Sequence, residues 1–156
     1  MKNELTVLTA LRNVIDAGLN PTPPQTKGDP EPTPTPTEQI PVVIDFPNVD
    51  RMPARRTVYL LPDYAEYETL ATTNDRANFR VTMFILCKRD TKANLVTKVY
   101  EIYNQIYELL RRNIDLDGVV DFTEVQSSTF YPAVEMNENV QGIESTVAIT
   151  YTKDYE

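Results

Sequence analysis

Histidine is absent from this 156-residue chain, and with it the commonest general base near neutral pH. Ser–His and Cys–His nucleophile arrangements are excluded on the same ground. Cys87 is the one cysteine, so no internal disulfide can form. Its place on the inward side of an alternating strand predicts a buried, inert thiol. The four glycines are dispersed, which leaves no glycine-rich loop to cradle a phosphate. Carboxylates remain as candidates for chemistry. Glu66 with Glu68, or Asp115 with Asp117, could form an acid–base pair or hold Mg²⁺. Asp115-Leu116-Asp117-Gly118 shares its opening with a calcium loop, but the ligand at the far end of the required spacing is missing. A helix-terminating turn, with both aspartates accepting local backbone bonds, is the favoured reading. No catalytic, cofactor-binding or metal residue is assigned, and the expectation is a protein that is not an enzyme and needs no cofactor.

Side chains suited to recognition are easier to find. Tyr100, Tyr103 and Tyr107 stand at i, i+3 and i+7, along one border of an apolar helical face. Rings at such a border bury their bodies while their hydroxyls reach water or a partner, which favours tyrosine at interfaces. A core helix with a tyrosine-rich edge fits the spacing equally well. Residues 20–39 hold a second candidate surface. Here Pro30, Pro32 and Pro34 belong to a run in which proline alternates with threonine and acidic residues. Each proline removes a backbone donor and fixes φ, so neither a helix nor an inner strand is expected. The segment reads either as an exposed arm that drapes over a neighbour or as a semi-rigid spacer.

These candidates must be positioned by the elements around them. Leu5, Leu8, Leu11 and Ile15, flanked by Val7 and Val14, predict a short N-terminal helix over residues 4–17 with Gly18 as its stop. Residues 40–46 alternate as an edge strand interrupted by Pro41 and Pro47, and residues 57–61 form a second short strand. The polar stretch 63–78 reads as a loop. Residues 79–88 give the clearest strand, with Phe79, Val81, Met83, Ile85 and Cys87 on one face and further apolar groups on the other, placing it centrally. Asp90-Thr91 caps a long amphipathic helix from 92 to about 113, whose apolar rows cover roughly half the cylinder. Strands follow over 119–125 and 143–151, separated by a segment from Ser127 to Gln141. The order predicts an α+β fold. In it a mixed or antiparallel sheet carries the long helix on one face, together with the short N-terminal helix. Residues 1–19 are read as the N-terminal helix, 20–39 as the proline-rich arm, and 40–156 as the core.

Apolar residues make up 41% of the chain, enough for a real core. The balance of 15 basic against 23 acidic residues, net −8, argues against tight binding to a nucleic-acid backbone, which needs Lys and Arg to displace counterions. It is compatible with a surface past which DNA slides. No signal peptide or membrane span is expected, and synthesis in the cytoplasm is the default.

The chain resembles the tail terminator and minor tail proteins of long-tailed phages. The likeness is carried by Val58-Tyr59-Leu60-Leu61-Pro62 with Tyr64-Ala65-Glu66-Tyr67-Glu68 and Thr72-Thr73-Asn74-Asp75-Arg76. The strand-to-helix passage over 79–112 and the lead-in Ile143-Glu144-Ser145-Thr146-Val147 extend it over most of residues 40–155. The resemblance implies a homo-oligomer, a hexameric ring at the head-proximal end of the tail tube. Such a ring stops tube growth and offers a surface to head-completion and connector proteins. Its location would be the tail or neck of the virion, with the genome passing through an acidic lumen without specific binding. Ring closure requires a heterologous contact, for which Tyr100, Tyr103, Tyr107 and the arm at Pro30, Pro32 and Pro34 are the candidates. Three other readings compete: a head-completion or head–tail connector subunit, a monomeric interaction module whose arm is a polyproline ligand, and, last, an enzyme working through carboxylates and a metal.

Overall fold

The computed structural model describes residues 2–21, 39–88, 95–131 and 140–155. Helix α1 (Glu4–Leu19) starts where the Asn3 side chain accepts the Thr6 amide at 2.8 Å. It buries Val7, Leu8, Leu11, Val14, Ile15 and Leu19, whereas Leu5 points to solvent. Gly18 is not its stop. The helix continues through Gly18, where the side chain of Leu109 lies so close to the backbone that a Cβ would stand 2.4 Å from Leu109 Cδ2. Termination falls to Asn20, whose amide bonds the Asp16 carbonyl. Its side chain donates to the Ile40 carbonyl (2.9 Å) and accepts the Ile40 amide (2.7 Å). The two ends of the proline-rich segment are thereby clamped side by side. Pro30, Pro32 and Pro34, the cap at Asp90-Thr91 and the turn at Asn137-Glu138-Asn139 lie outside the described residues.

The sheet has five strands in the order β1-β2-β3-β5-β4. These are β1 (Val42–Ile44), β2 (Arg56–Ala71), β3 (Asn74–Lys88), β4 (Phe122–Tyr131) and β5 (Val140–Asp154). β1 runs parallel to β2 and every other pair is antiparallel, so the sheet is mixed. A 3₁₀ turn, Val49–Arg51, lies in the β1–β2 connection. β3 occupies the centre as expected, with Ala77, Phe79, Val81, Met83, Ile85 and Cys87 all buried beneath the helices.

Three expectations about strands need correction. Residues 63–78 are no loop: β2 and β3 pair from Arg56↔Cys87 to Ala71↔Asn74, with register shifts between Pro62 and Tyr64 and between Thr69 and Ala71, and close at Thr72-Thr73. On the β2 side the segment is exposed from Glu66 to Ala71, so little there demands apolar alternation, whereas on β3 Ala77 is already buried. Residues 119–121 are turn rather than strand, and β4 runs on through Ser127–Ser128–Thr129 to Tyr131. The first strand shrinks to Val42–Ile44, leaving Phe46 exposed.

Helix α2 (Leu95–Arg112) crosses the same sheet face as α1 and buries Leu95, Val99, Ile102, Ile106 and Leu110. It ends in a left-handed turn in which Leu116 (φ 49°), Asp117 (φ 59°) and Gly118 (φ 81°) follow one another. Leu116 is driven into this unfavoured region by its complete burial. Asn113 braces the turn, donating to the Asp117 carboxylate and accepting the Asp117 amide, each at 2.9 Å. The aspartates thus serve the turn, although the carboxylate of Asp117 takes a side-chain donor rather than a backbone one.

Candidate functional site

The border of α2 meets β4 in a continuous aromatic ridge. Tyr100 stacks on Phe130 with centroids 5.1 Å apart and planes 12° from parallel. Tyr103 meets the same ring edge-on at 5.8 Å and lies 6.1 Å from Tyr107. All three predicted tyrosines are therefore brought together, and they differ in depth. Tyr103 is the inner member, its hydroxyl accepting from Ser128 Oγ at 2.9 Å while Ser128 Oγ also lies 2.9 Å from Ser145 Oγ. Tyr100, Tyr107 and Phe130 are each about two-fifths exposed, and Val96 is half exposed. Apolar area is thus presented along one flank, with hydroxyls at its rim. Phe130 escaped the sequence reading because it fell in the segment from Ser127 to Gln141, to which no strand was assigned. The signal that would have found it is Thr129-Phe130-Tyr131, a β-prone run.

Beside the ridge, a crevice of about 90 Å³ is lined by Tyr107, Leu110, Arg111, Thr123, Glu124 and Val125. The Oγ1 of Thr123 is buried and, among the described residues, has no hydrogen-bond partner. Such a group costs free energy until something pairs with it.

A second polar constellation ties the start of α1 to the projecting half of the sheet. Glu4 Oε1 accepts from the hydroxyls of Tyr67 and Tyr151 (3.0 Å to the latter) and lies 3.5 Å from Lys153 Nζ. Lys153 Nζ also stands 5.2 Å over the Tyr67 ring. Burial alone would raise the Glu4 carboxyl. The bonds from Tyr67, its own amide and Tyr151, with the charge of Lys153, outweigh that and hold it below 4.5. Tyr67 is pushed up to about 12, chiefly because its proton is shared with Glu4. Tyr151 is raised by burial first and by Glu4 second. The arrangement keeps protons on the phenols and charge on the carboxylate, which suits a structural brace.

The remaining candidates sit apart. Cys87 is buried within β3. Glu66 and Glu68 are exposed on β2, with Glu68 3.5 Å from Arg76. Asp115 and Asp117 belong to the turn after α2. Among the described residues, no three His, Cys, Asp or Glu side chains gather as a metal site would require.

No family model matches the sequence, and no curated protein matches it. A solved structure does. It is the sheath/tube terminator of an extracellular contractile injection system, PVC, in its extended state, determined by cryo-electron microscopy. The similarity spans 99% of this chain and 58% of that one, with a TM-score of 0.50 and 11% sequence identity. What the two share is a fold. This chain corresponds to little more than half of the longer protein.

Proposed function

We propose that the chain is a tail terminator subunit. Copies of it close into a hexameric ring at the head-proximal end of a phage tail tube, stop the tube from growing and present the surface that joins the head. The observation that carries this reading is the fold likeness to a sheath/tube terminator over 99% of the chain. Two features support it. The ridge of Tyr100, Tyr103, Tyr107 and Phe130 offers apolar area of the kind that partners cover. The net charge of −8 suits a lumen along which DNA slides without sticking. In this reading the partners are further copies of the chain, the tube protein and the head-completion or connector proteins, and the location is the tail or neck of the virion. Pro30, Pro32 and Pro34 are assigned with the ridge to the contact between subunits, and the clamp between Asn20 and Ile40 brings the flanks of their segment together. A phage lacking the gene tests the assignment by electron microscopy. Overlong tails are expected. Tails of normal length that fail to join heads would make the chain a connector instead.

A further inference from the structure

Among the described residues two sheet edges lie open, one at each end of the strand order. On the outer side of β2, β1 pairs only with Val58, Tyr59 and Leu60, and beyond them no described residue pairs with residues 62–71. At the other end, β4 pairs on one side with β5 and, among the described residues, on the other with nothing. Open edges are commonly blunted by lysine, proline or β-bulges. Between Asp63 and Ala71, and throughout β4, there is neither lysine nor proline, and the bulges at Thr69/Ala71 and Val125/Ser127 leave residues 64–69 and 127–131 in regular ladder.

We infer that these edges are made for each other, the β4 of one copy pairing antiparallel with the β2 of the next so that one sheet runs through successive subunits. The inference rests on the ring reading and specifies its joint. Polarity fits without any inversion of the subunit. Counting across β5 and β3, β4 runs opposite to β2, so copies that keep the same sense along a ring axis meet antiparallel.

Register fits as well. Through the ladders, Tyr131 at the end of β4 stands level with Leu86, which on β2 is the level of Thr57, beside the stretch that β1 covers. β1 therefore acts as a stop, and β4 can reach the open part of β2 only if the next copy is displaced along the strands. Because side chains alternate, only an even displacement keeps the helix-bearing faces together. Four or six residues meet both conditions, a shift of roughly 13–20 Å. Spread over the four strands β2, β3, β5 and β4, about 19 Å wide, it corresponds to a tilt of roughly 35–45°, the range in which sheets close on themselves. With a shift of four, Val125 comes opposite Tyr67 and Thr123 opposite Thr69, while a shift of six sets Val125 opposite Thr69. The incoming strand also covers the crevice in which Thr123 Oγ1 has no partner among the described residues.

Charge selects this pairing over the simplest rival. A two-fold contact of β2 with another β2 would bring Asp63, Glu66 and Glu68 against the same residues, and like charges across strands destabilise. β4 contributes one carboxylate, Glu124, and Glu68 already has Arg76 at 3.5 Å.

The test is disulfide trapping in the full chain, with mass measured in parallel. Tyr67→Cys/Val125→Cys and Thr69→Cys/Val125→Cys sample the two displacements, and each single variant is a control; circular dichroism verifies that all are folded. Under mild oxidation, one double variant should give a ladder of covalent oligomers ending at the closed ring, with the single variants uncrosslinked. A ring by mass with no ladder from either pair overturns the joint and leaves the ring reading standing. Covalent dimers from a single β2 variant would show β2 against β2 and overturn the joint in the same way. A protein that stays monomeric throughout overturns both.

Discussion

The sheet has two halves held by different physics. In one, α1 and α2 press Val58, Leu60, Met83, Ile85 and Ile143 into a dry interior, and nearly every inward side chain is fully buried. In the other, β2, β3 and the end of β5 project beyond the helices as a three-stranded ribbon whose outer residues, among them Tyr64, Glu66 and Leu70, face water. Apolar burial stabilises the first half. The second is kept in place by its ladder and by polar ties. Glu4 grips Tyr67, Tyr151 and Lys153, and Tyr155 bonds Asp75 through its hydroxyl (2.7 Å) and the Thr73 carbonyl through its amide (2.7 Å).

That contrast can be broken first in the helix-backed half. Ile106→Ala empties a fully buried position on α2 and should cost about 2–5 kcal/mol in urea unfolding, with m unchanged. Gly18→Val comes next. It drives a branched side chain into Leu109 where a Cβ alone already meets Cδ2 at 2.4 Å, and should cost about 1–3 kcal/mol. Gly18→Ala is milder, since the helix propensity gained, about 1 kcal/mol, offsets a displacement of the Leu109 side chain.

In the ribbon the sensitivity should be to charge rather than volume. Glu4→Gln removes the ionic acceptor shared by Tyr67, Tyr151 and Lys153. Because the site is partly exposed, the expected loss is only about 1 kcal/mol, read locally as faster amide exchange over residues 64–71. The carboxyl is held below 4.5 in the folded state, so its contribution is present above that value and fades as pH falls through the lowered one. Tyr67 is displaced the other way. Its contribution is complete below 10 and is lost as pH rises through about 12. The Glu4→Gln chain should lack the acid-side loss in ribbon protection. Leu70→Ser, on the exposed side of the ribbon, should change stability by less than about 0.5 kcal/mol. A large effect there would mean that the ribbon has a hidden core, and the contrast between the halves would fail.

The same division explains what could be read from the chain alone. Periodicity is written into a sequence where one face is buried and the other wet. The central strand, the α2 face and the convergence of Tyr100, Tyr103 and Tyr107 were therefore legible. The ribbon is exposed on both faces over residues 66–71, so it shows no alternation and looks like a loop. Only the β preference of Tyr64, Tyr67 and Thr69 hinted otherwise. Phe130 was hidden for a similar reason, behind Ser127, Ser128 and Thr129. Gly18 looked like a helix stop because glycine usually has that role beyond a helix end. Its actual reason, the approach of Leu109, is a contact between residues 91 positions apart that no local pattern encodes.

The account turns on ring closure, and the mass of the purified protein in solution, followed by light scattering over a wide concentration range, tests it most directly. The prediction is a discrete species near six subunits whose mass does not grow further as concentration rises. A monomer at every concentration, or a series of ever larger oligomers with no closed end point, would contradict it.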